Sequence, residues 1–536
     1  MRATDLTTID IFTTIGDNMK EELQDLVKVT TRGSFILLIG KVSSTLLLAL
    51  GTLLVARFLG PVNYGSLNKA DSVVSIANIL MNLGVQQAMI KYLAQYRYEG
   101  KTEHMRVLIE TGVIISVFSS LLSTVLVFLV SGYIADNIFM EPVQEIYIRY
   151  LSLSLIGQAL LTLAQGITIG YEKMELSSLL SVVYSILKSV IGPVLVFIGL
   201  GTLGAIYGQI SPVLLTAILG IIFIAIIYRN EKTSQSPISH MKVARMILTY
   251  GFPLYVSSIL GGLLPQLYTS LLGIWETNER IGNYSVALNF SALISFITMP
   301  ISTTIFPLFS KLDKEQSELG FLYRNAVKYS TLLVYPIIFT LISLADQIIM
   351  FLFQDQYTYA PYYLRIYILI FVLTGLGSAC NNSLLKGQNR TDIIFRIALI
   401  RFIISVPLSY FAIKIYGVEG LLYYFIIIQS ISTILTLSYI RRLFSFKLNM
   451  DFLLKILLIS ITSTFIVYTA MKVISIASWM EILIGGTLSL SLYAIGVIIL
   501  KALTQQDYQY LSNLSESFGP FAPLFRNVIN LLMRLS

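Results

Sequence analysis

Polar side chains recur at helical spacing inside apolar runs of this 536-residue chain. Asn68, Asp71, Ser75, Asn78, Asn82 and Gln86 follow steps of three and four, so a helix carries them on one face. Such a face is costly against lipid and must point to protein or water. Gln158, Thr162, Gln165 and Thr168 form a second stripe, and Ser258, Gly262, Gln266 and Thr269 a third. Ser285, Asn289, Ser295 and Ser302 form a weaker fourth. Hydrogen bonding between helices uses the same residue types, but the length of the first stripe points to a water-filled cavity.

Charges inside apolar runs are rarer. Lys188 lies mid-run, too deep to snorkel easily, while Lys41 and Arg401 lie about two turns in from one end. Lys69 and Asp71 are two apart and do not face each other on a helix. Arg57 and Arg280 mark the opposite mouths, and Asp71 and Asp346 are the main acids. A cavity with this cationic surplus attracts an anion, and a phosphate or pyrophosphate suits Arg and Lys. Snorkelling to headgroups competes for Lys41 and Arg401, and an internal ion pair for Lys188. The substrate-binding candidates are Lys41, Lys69, Asp71, Asn78, Asn82, Gln86, Gln165, Lys188, Gln266, Asn289 and Arg401, with Arg57 and Arg280 at the outer mouth.

The elements that must position these groups are transmembrane helices. The chain is 55% hydrophobic and only 12% charged, against about 25% charged in soluble domains. Runs of about 20 apolar residues can span a bilayer. Fourteen are read here: 34–56, 66–90, 109–131, 150–170, 177–199, 205–228, 246–275, 282–308, 327–352, 362–385, 393–416, 418–440, 452–474 and 481–501. Prolines within them, such as Pro193, Pro212, Pro336 and Pro407, permit kinks. A single cysteine, Cys380, and two histidines, His104 and His240, leave no set for zinc or a histidine-based triad. Paired carboxylates at useful spacing, a phosphate-binding glycine loop and a nucleophile elbow are all missing. No enzyme, metal or cofactor is expected. The net charge of +8 sits in short clusters between apolar runs, a topology signal rather than a nucleic-acid patch.

Those clusters fall on one side: Lys20, Lys28 and Arg32; Lys91 to Arg106; Arg229 to Arg245; Lys311 to Lys328; Lys386 and Arg390; and Arg441 to Lys447. The positive-inside rule then places both termini in the cytoplasm. The expected organisation is a cytoplasmic tail over 1–33, an N-lobe over 34–228 and a linker over 229–245. A C-lobe over 246–440, two further spans over 441–501 and a tail over 502–536 complete it. Both tails contain amphipathic stretches, Asp17–Thr31 and Phe521–Leu535, suited to an interface or to the protein's own loops.

The two sets of six spans repeat. Gly65 and Gly282 precede the second and eighth spans, 217 residues apart. Gly170 and Gly387 close the fourth and tenth, again 217 apart, and Gly201 and Gly417 stand 216 apart before the sixth and twelfth. This offset aligns Gln165 with Asn382. An even number of spans per half makes the repeat parallel, about a pseudo-twofold axis along the membrane normal. Proteins of that kind place substrate between halves that rock.

Four stretches also resemble a known family. Ala56-Arg-Phe-Leu-Gly-Pro-Val-Asn-Tyr-Gly65 is similar to the first outer loop of polysaccharide and O-antigen flippases. Gly84-Val-Gln-Gln-Ala-Met-Ile-Lys-Tyr-Leu-Ala94 resembles the end of their second span, and Gly170-Tyr-Glu-Lys-Met174 and Gly417-Val-Glu-Gly420 resemble later turns. The family lies within the multidrug/oligosaccharidyl-lipid/polysaccharide exporter superfamily. The resemblance implies an all-α polytopic protein with two six-helix lobes around a central cavity, plus two C-terminal helices. It implies translocation of an isoprenoid-pyrophosphate-linked oligosaccharide to the outer leaflet of a prokaryotic plasma membrane, by alternating access coupled to H⁺ or Na⁺. Membrane lipids and glycan polymerase or glycosyltransferase machinery are the implied partners, with a monomer expected because one lobe pair already encloses a cavity.

A drug or cation antiporter of the same superfamily is the competing reading, disfavoured by the basic set inside the spans. A polysaccharide polymerase or ligase would need a large outward loop with catalytic groups. The longest here, about 131–149, carries Asp136, Glu141 and Glu145 without a nucleophile–base pair.

Overall fold

A computed structural model describes residues 6–229, 239–311, 316–473 and 476–509, with side chains from residue 36 onward. The stretch Phe521–Leu535 and the side chains of Asp17–Thr31 lie outside the described residues, as do residues 230–238 of the linker and the side chain of Ser258.

Every regular element among the described residues is helical. Nine runs there are long and apolar enough to cross a membrane. Three of them, Ile39–Tyr98, Met174–Arg229 and Thr391–Phe444, contain 60, 56 and 54 residues. At 1.5 Å per residue each would reach about 80–90 Å, against about 30 Å of hydrocarbon. Each is broken at glycine. Gly60 takes φ 71°, ψ 170°, Gly201 takes φ 53°, ψ −137°, and Gly417 takes φ 60°, ψ −136°. No L side chain readily adopts these angles. The first run breaks again at Asn82–Gly84, between the helices Leu6–Met81 and Val85–Tyr98.

The tenth span departs from its expected continuous helix. It runs as Ala360–Ile368, a tighter 3-10 stretch over Leu369–Leu376, and Asn381–Gly387, with a 43° bend. Gly377, at φ 81°, makes the turn. A Cβ there would stand 2.7 Å from the hydroxyl of Tyr323, which donates to Asn381 Oδ1 at 2.7 Å.

The repeat is written in backbone geometry. Gly201 and Gly417 share nearly identical angles. After Gly170 and Gly387 the left-handed residues are Glu172 (φ 58°) and Asn389 (φ 55°), again 217 apart. The turn bonds match one for one. Tyr171 N donates to Ile167 O and Lys173 N to Thr168 O, as Gln388 N does to Leu384 O and Arg390 N to Leu385 O.

The chain forms two compact units. One comprises the chain up to Phe58 together with Ala70–Gln266; the other comprises Leu59–Lys69 with the chain from Leu267 onward. In the first, Met89, Leu93, Leu108, Ile109, Ala164, Ile167, Val213, Val243 and Ile247 share one core. Small residues bring its helices together: a Cβ on Gly51 would stand 2.5 Å from Ser189 Cα, and Ser189 Oγ donates to Leu47 O at 2.6 Å. In the second unit, Met450–Val473 and Ser478–Ile499 pack beside Gln316–Ser343. Thr340 bonds Ser489 at 2.7 Å, and Tyr493 donates to Leu332 O at 3.1 Å. Large apolar side chains point outward, including Phe197 at 75% and Phe465 at 68% exposure. Lipid covers such a surface at no cost, whereas water would not.

Leu59–Lys69 meets Asn278–Asn289 at glycines inside the second unit. A Cβ on Gly65 would stand 2.6 Å from the carbonyl carbon of Asn278 and 2.8 Å from Gly282 N. A Cβ on Gly282 would stand 2.8 Å from the carbonyl carbon of Pro61. Pro61 and Asn278 are also 217 apart, so the contact is its own equivalent under the repeat.

Candidate functional site

In the first unit the second-span stripe faces neighbouring helices. Asp71 accepts from Ser75 Oγ at 3.4 Å and lies in the field of Lys188. The Lys188 ammonium stands 3.4 Å from Tyr184 Oη. The structure thus brings together two charges that sit 117 positions apart in sequence. Asn78, Asn82 and Gln86 line a cavity of about 30 Å³ with Ser116, Ser119 and Thr162. Gln165 is elsewhere engaged, donating to Ser181 Oγ at 3.1 Å. Its repeat partner Asn382 is exposed, and the bonded amide is the adjacent Asn381. The equivalence of the two halves thus holds for the turn and not for the side-chain bond. Lys41 is exposed, while Arg57 and Gln266 are half-buried.

In the second unit Lys69 is buried. Asn289 Nδ2 donates to Tyr64 Oη at 3.2 Å. Arg280 stands between two carboxylates, Glu276 at 3.4 Å and Glu419 at 3.2 Å. Glu276 Oε1 also accepts from Val418 N at 3.1 Å, which ties Arg280 to the turn after Gly417. Arg365 likewise pairs with Asp346 at 2.5 Å.

Arg401 is different. It lies ten residues into Thr391–Phe444, about 15 Å along the helix, and is half-buried. Its Nε is buried and makes no hydrogen bond, and no carboxylate pairs with it among the described residues. The neighbours acting on its charge are Tyr367 and Tyr424. These belong to an aromatic cluster in which Tyr268 meets Tyr424 at 5.9 Å and Phe425 at 5.1 Å, and Tyr367 meets Phe425 at 6.0 Å. A cation without a counter-charge inside a span is costly. Beside aromatic faces and hydroxyls it can hold an anion and stack against a sugar.

The carboxylates of Glu276 and Glu419 and the tyrosine cluster were not singled out from sequence. Glu419 lies just past the hinge glycine Gly417, which was the available signal, while Glu276 only follows the end of His240–Trp275. The aromatic cluster comes from three separate helices and leaves no spacing pattern.

Comparison with known proteins places the chain. The profile of a family described as polysaccharide biosynthesis protein matches residues 30–313, and the MatE profile matches 253–411. The probable low-salt glycan biosynthesis flippase Agl15 of Haloferax volcanii is 21% identical over 90% of this chain and 98% of its own. The lipopolysaccharide biosynthesis protein WzxC of Escherichia coli is 21% identical over 74% of this chain and 78% of its own. Among solved structures, the lipid II flippase MurJ in an inward closed conformation superposes with a TM-score of 0.69 at 16% identity, covering 87% of this chain and 98% of that one. An inward-facing multidrug resistance MATE transporter superposes at 0.57 and 18% identity, covering 75% and 94%. The shared fold is the two-lobe, all-helical transporter fold expected from the repeat, and the chain belongs to the polysaccharide biosynthesis protein family.

Proposed function

We propose that this protein is a flippase of glycan biosynthesis that carries an isoprenoid-pyrophosphate-linked oligosaccharide from the cytoplasmic to the outer leaflet. It does so by alternating access, coupled to an H⁺ or Na⁺ gradient. The names of the relatives support the glycan-flippase class, and family membership supports its place in polysaccharide biosynthesis.

The observation that carries the substrate reading is Arg401. A sugar–pyrophosphate head cannot cross about 30 Å of hydrocarbon unaided. A half-buried guanidinium inside a span, with no carboxylate partner among the described residues and beside Tyr367 and Tyr424, offers the charge-assisted bonds that a pyrophosphate requires. A cation exporter would place carboxylates there instead.

Fourteen spans fit this reading. The three double-length runs count as two each, and the bent pair Ala360–Leu376 with Asn381–Gly387 and the helix His240–Trp275 each supply one. The protein then lies in a prokaryotic plasma membrane as a monomer with both termini cytoplasmic, beside the enzymes that build and polymerise the glycan.

The test is a chromosomal Arg401→Gln exchange, followed by mass spectrometry of lipid-linked oligosaccharides after leaflet-selective labelling. Accumulation in the cytoplasmic leaflet, with protein levels and folding unchanged, is the expected result. Wild-type outer-leaflet levels in a strain without a second flippase would remove Arg401 from the substrate path. A full deletion that raises drug sensitivity without any lipid-linked build-up would transfer the protein to the antiporter class.

A further inference from the structure

The small cavity in the first unit has the chemistry of a cation site. It lies where the second span breaks, between Leu6–Met81 and Val85–Tyr98. Asn78 stands before the break, Asn82 within it and Gln86 after it, with Ser116 and Ser119 from Thr102–Tyr133 and Thr162 from Ser154–Gly170 opposite. The volume of about 30 Å³ exceeds the roughly 10–15 Å³ that one water needs. It is far too small for any organic solute.

The hydrogen-bond arithmetic favours a positive guest. The side-chain amides of Asn78, Asn82 and Gln86 and the hydroxyl of Ser116 make no hydrogen bond with described residues. Ser119 spends its proton on Ser116 O at 3.2 Å, and Thr162 spends its own on Gln158 O at 2.7 Å while accepting from Gln158 Nε2 at 3.5 Å. Lone pairs are what those two hydroxyls have left to present. Amide oxygens can join them by rotation. The preceding half-helix also ends here, adding its partial negative charge.

We infer that this cavity binds one monovalent cation of about the size of Na⁺, which ties both halves of the broken second span to the third and fourth spans. The donor set consists of neutral oxygens. A divalent ion demands carboxylates to offset its dehydration, and the cavity lining supplies none. No group in the lining titrates, so a proton has nowhere to sit. Discontinuous membrane helices supply cation ligands of this kind, side-chain oxygens and freed carbonyls together.

Occupancy would steady the segment that meets the helix His240–Trp275. A Cβ on Gly84 would stand 2.6 Å from Gly251 Cα, and Tyr255 Oη donates to Leu80 O at 2.7 Å. A cation that fixes the break therefore also fixes these two contacts. Any link from that to transport rests on the flippase reading, but binding itself does not.

The test uses the purified full chain in lipid nanodiscs. Thermal unfolding is followed against NaCl, with choline chloride holding ionic strength constant. A saturable rise in the midpoint with Na⁺ is expected, and sodium-23 line broadening should saturate over the same range. Asn78→Leu should abolish both responses. Should that variant fail to fold, Ser119→Ala removes one ligand and should move the half-saturating Na⁺ concentration upward about tenfold, the equivalent of about 1.4 kcal/mol. Equal midpoints in NaCl and choline chloride would show a cavity filled by water and overturn the inference. So would a wild-type Na⁺ response in Asn78→Leu. None of these readouts involves glycan movement, so a failed flipping assay leaves them intact.

Discussion

Replacing Gly282 by alanine tests the crossing that joins the repeat-related segments. The added Cβ would lie 2.8 Å from the carbonyl carbon of Pro61 and 3.0 Å from its Cα, where ordinary contact begins at 3.4 Å. The obstacle is backbone, so no side chain can swing away. The carbonyl oxygen of Pro61 is nearer still, so the two segments must separate by more than about 1 Å, and overpacking of this kind costs about 1–3 kcal/mol or more. Gly65→Ala meets the carbonyl group of Asn278, its carbon at 2.6 Å and its oxygen nearer still, also requires more than about 1 Å and belongs in the same range. Because both methyls push the same two segments apart, the separation forced by one makes room for the other. The double variant should therefore lose about as much as the worse single variant, a coupling of about 1–2 kcal/mol relative to additivity. Thermal midpoints of the four proteins in one lipid composition provide the measurement. Gly486→Ala is the control, since a Cβ there meets nothing within 4 Å. A wild-type midpoint for either single variant would refute the close approach. Strict additivity in the double would refute the shared crossing.

Three further outcomes follow from the same structure. Gly417→Ala should destabilise by about 1–3 kcal/mol, because a φ of 60° strains any L residue and its Cβ would displace the Glu276 carboxylate from Val418 N; a thermal midpoint reads it. Arg280→Gln should leave Glu276 and Glu419 facing each other without their shared cation, lowering the midpoint at neutral pH more than at low pH. Asp507 accepts from Lys328 and Thr504, at 2.5 and 2.7 Å. Burial pushes its carboxyl upward, but these hydrogen bonds outweigh burial and hold it below the usual carboxylate range. A lowered carboxyl contributes stability above its unfolded value of about 3.9 and loses it as pH falls through the lower folded value. Asp507→Asn should thus cost about 2 kcal/mol at neutral pH, and the gap to wild type should close in an acid titration.

Much of the fold was readable because its signals are local. Apolar length marks a span, and a glycine at a fixed offset marks a turn. Gly201 and Gly417 could therefore be paired from sequence and then found with matching angles. What escaped depends on encounters between distant segments. The tenth span looked continuous because nothing in its own composition announces that Tyr323 bonds Asn381 across Gly377. Arg280 looked like a cation at an open mouth because its second partner Glu419 is 139 positions away, although Glu276 stands only four before it.

The second-span stripe shows where the limit lies. Helical spacing established that Asn78, Asn82 and Gln86 share a face. It could not say whether that face opens on a wide cavity or on two other helices. Packing decides this: Ser116, Ser119 and Thr162 stand against the amides and leave about 30 Å³, with Asn82 still exposed. The same three amides that read as a surface for a glycan fit a guest of one or two atoms. Arg401 runs the other way. Sequence offered snorkelling to headgroups as its simplest fate, yet its Nε is buried beside tyrosines without a counter-charge. Polar faces in this fold are consumed by packing unless something prevents it, whereas a half-buried cation without a counter-charge has no structural use that a neutral residue would not serve more cheaply. Of the candidates read from sequence, Arg401 is thus the one whose surroundings most require a ligand, and Asn78 the one whose surroundings most restrict its size.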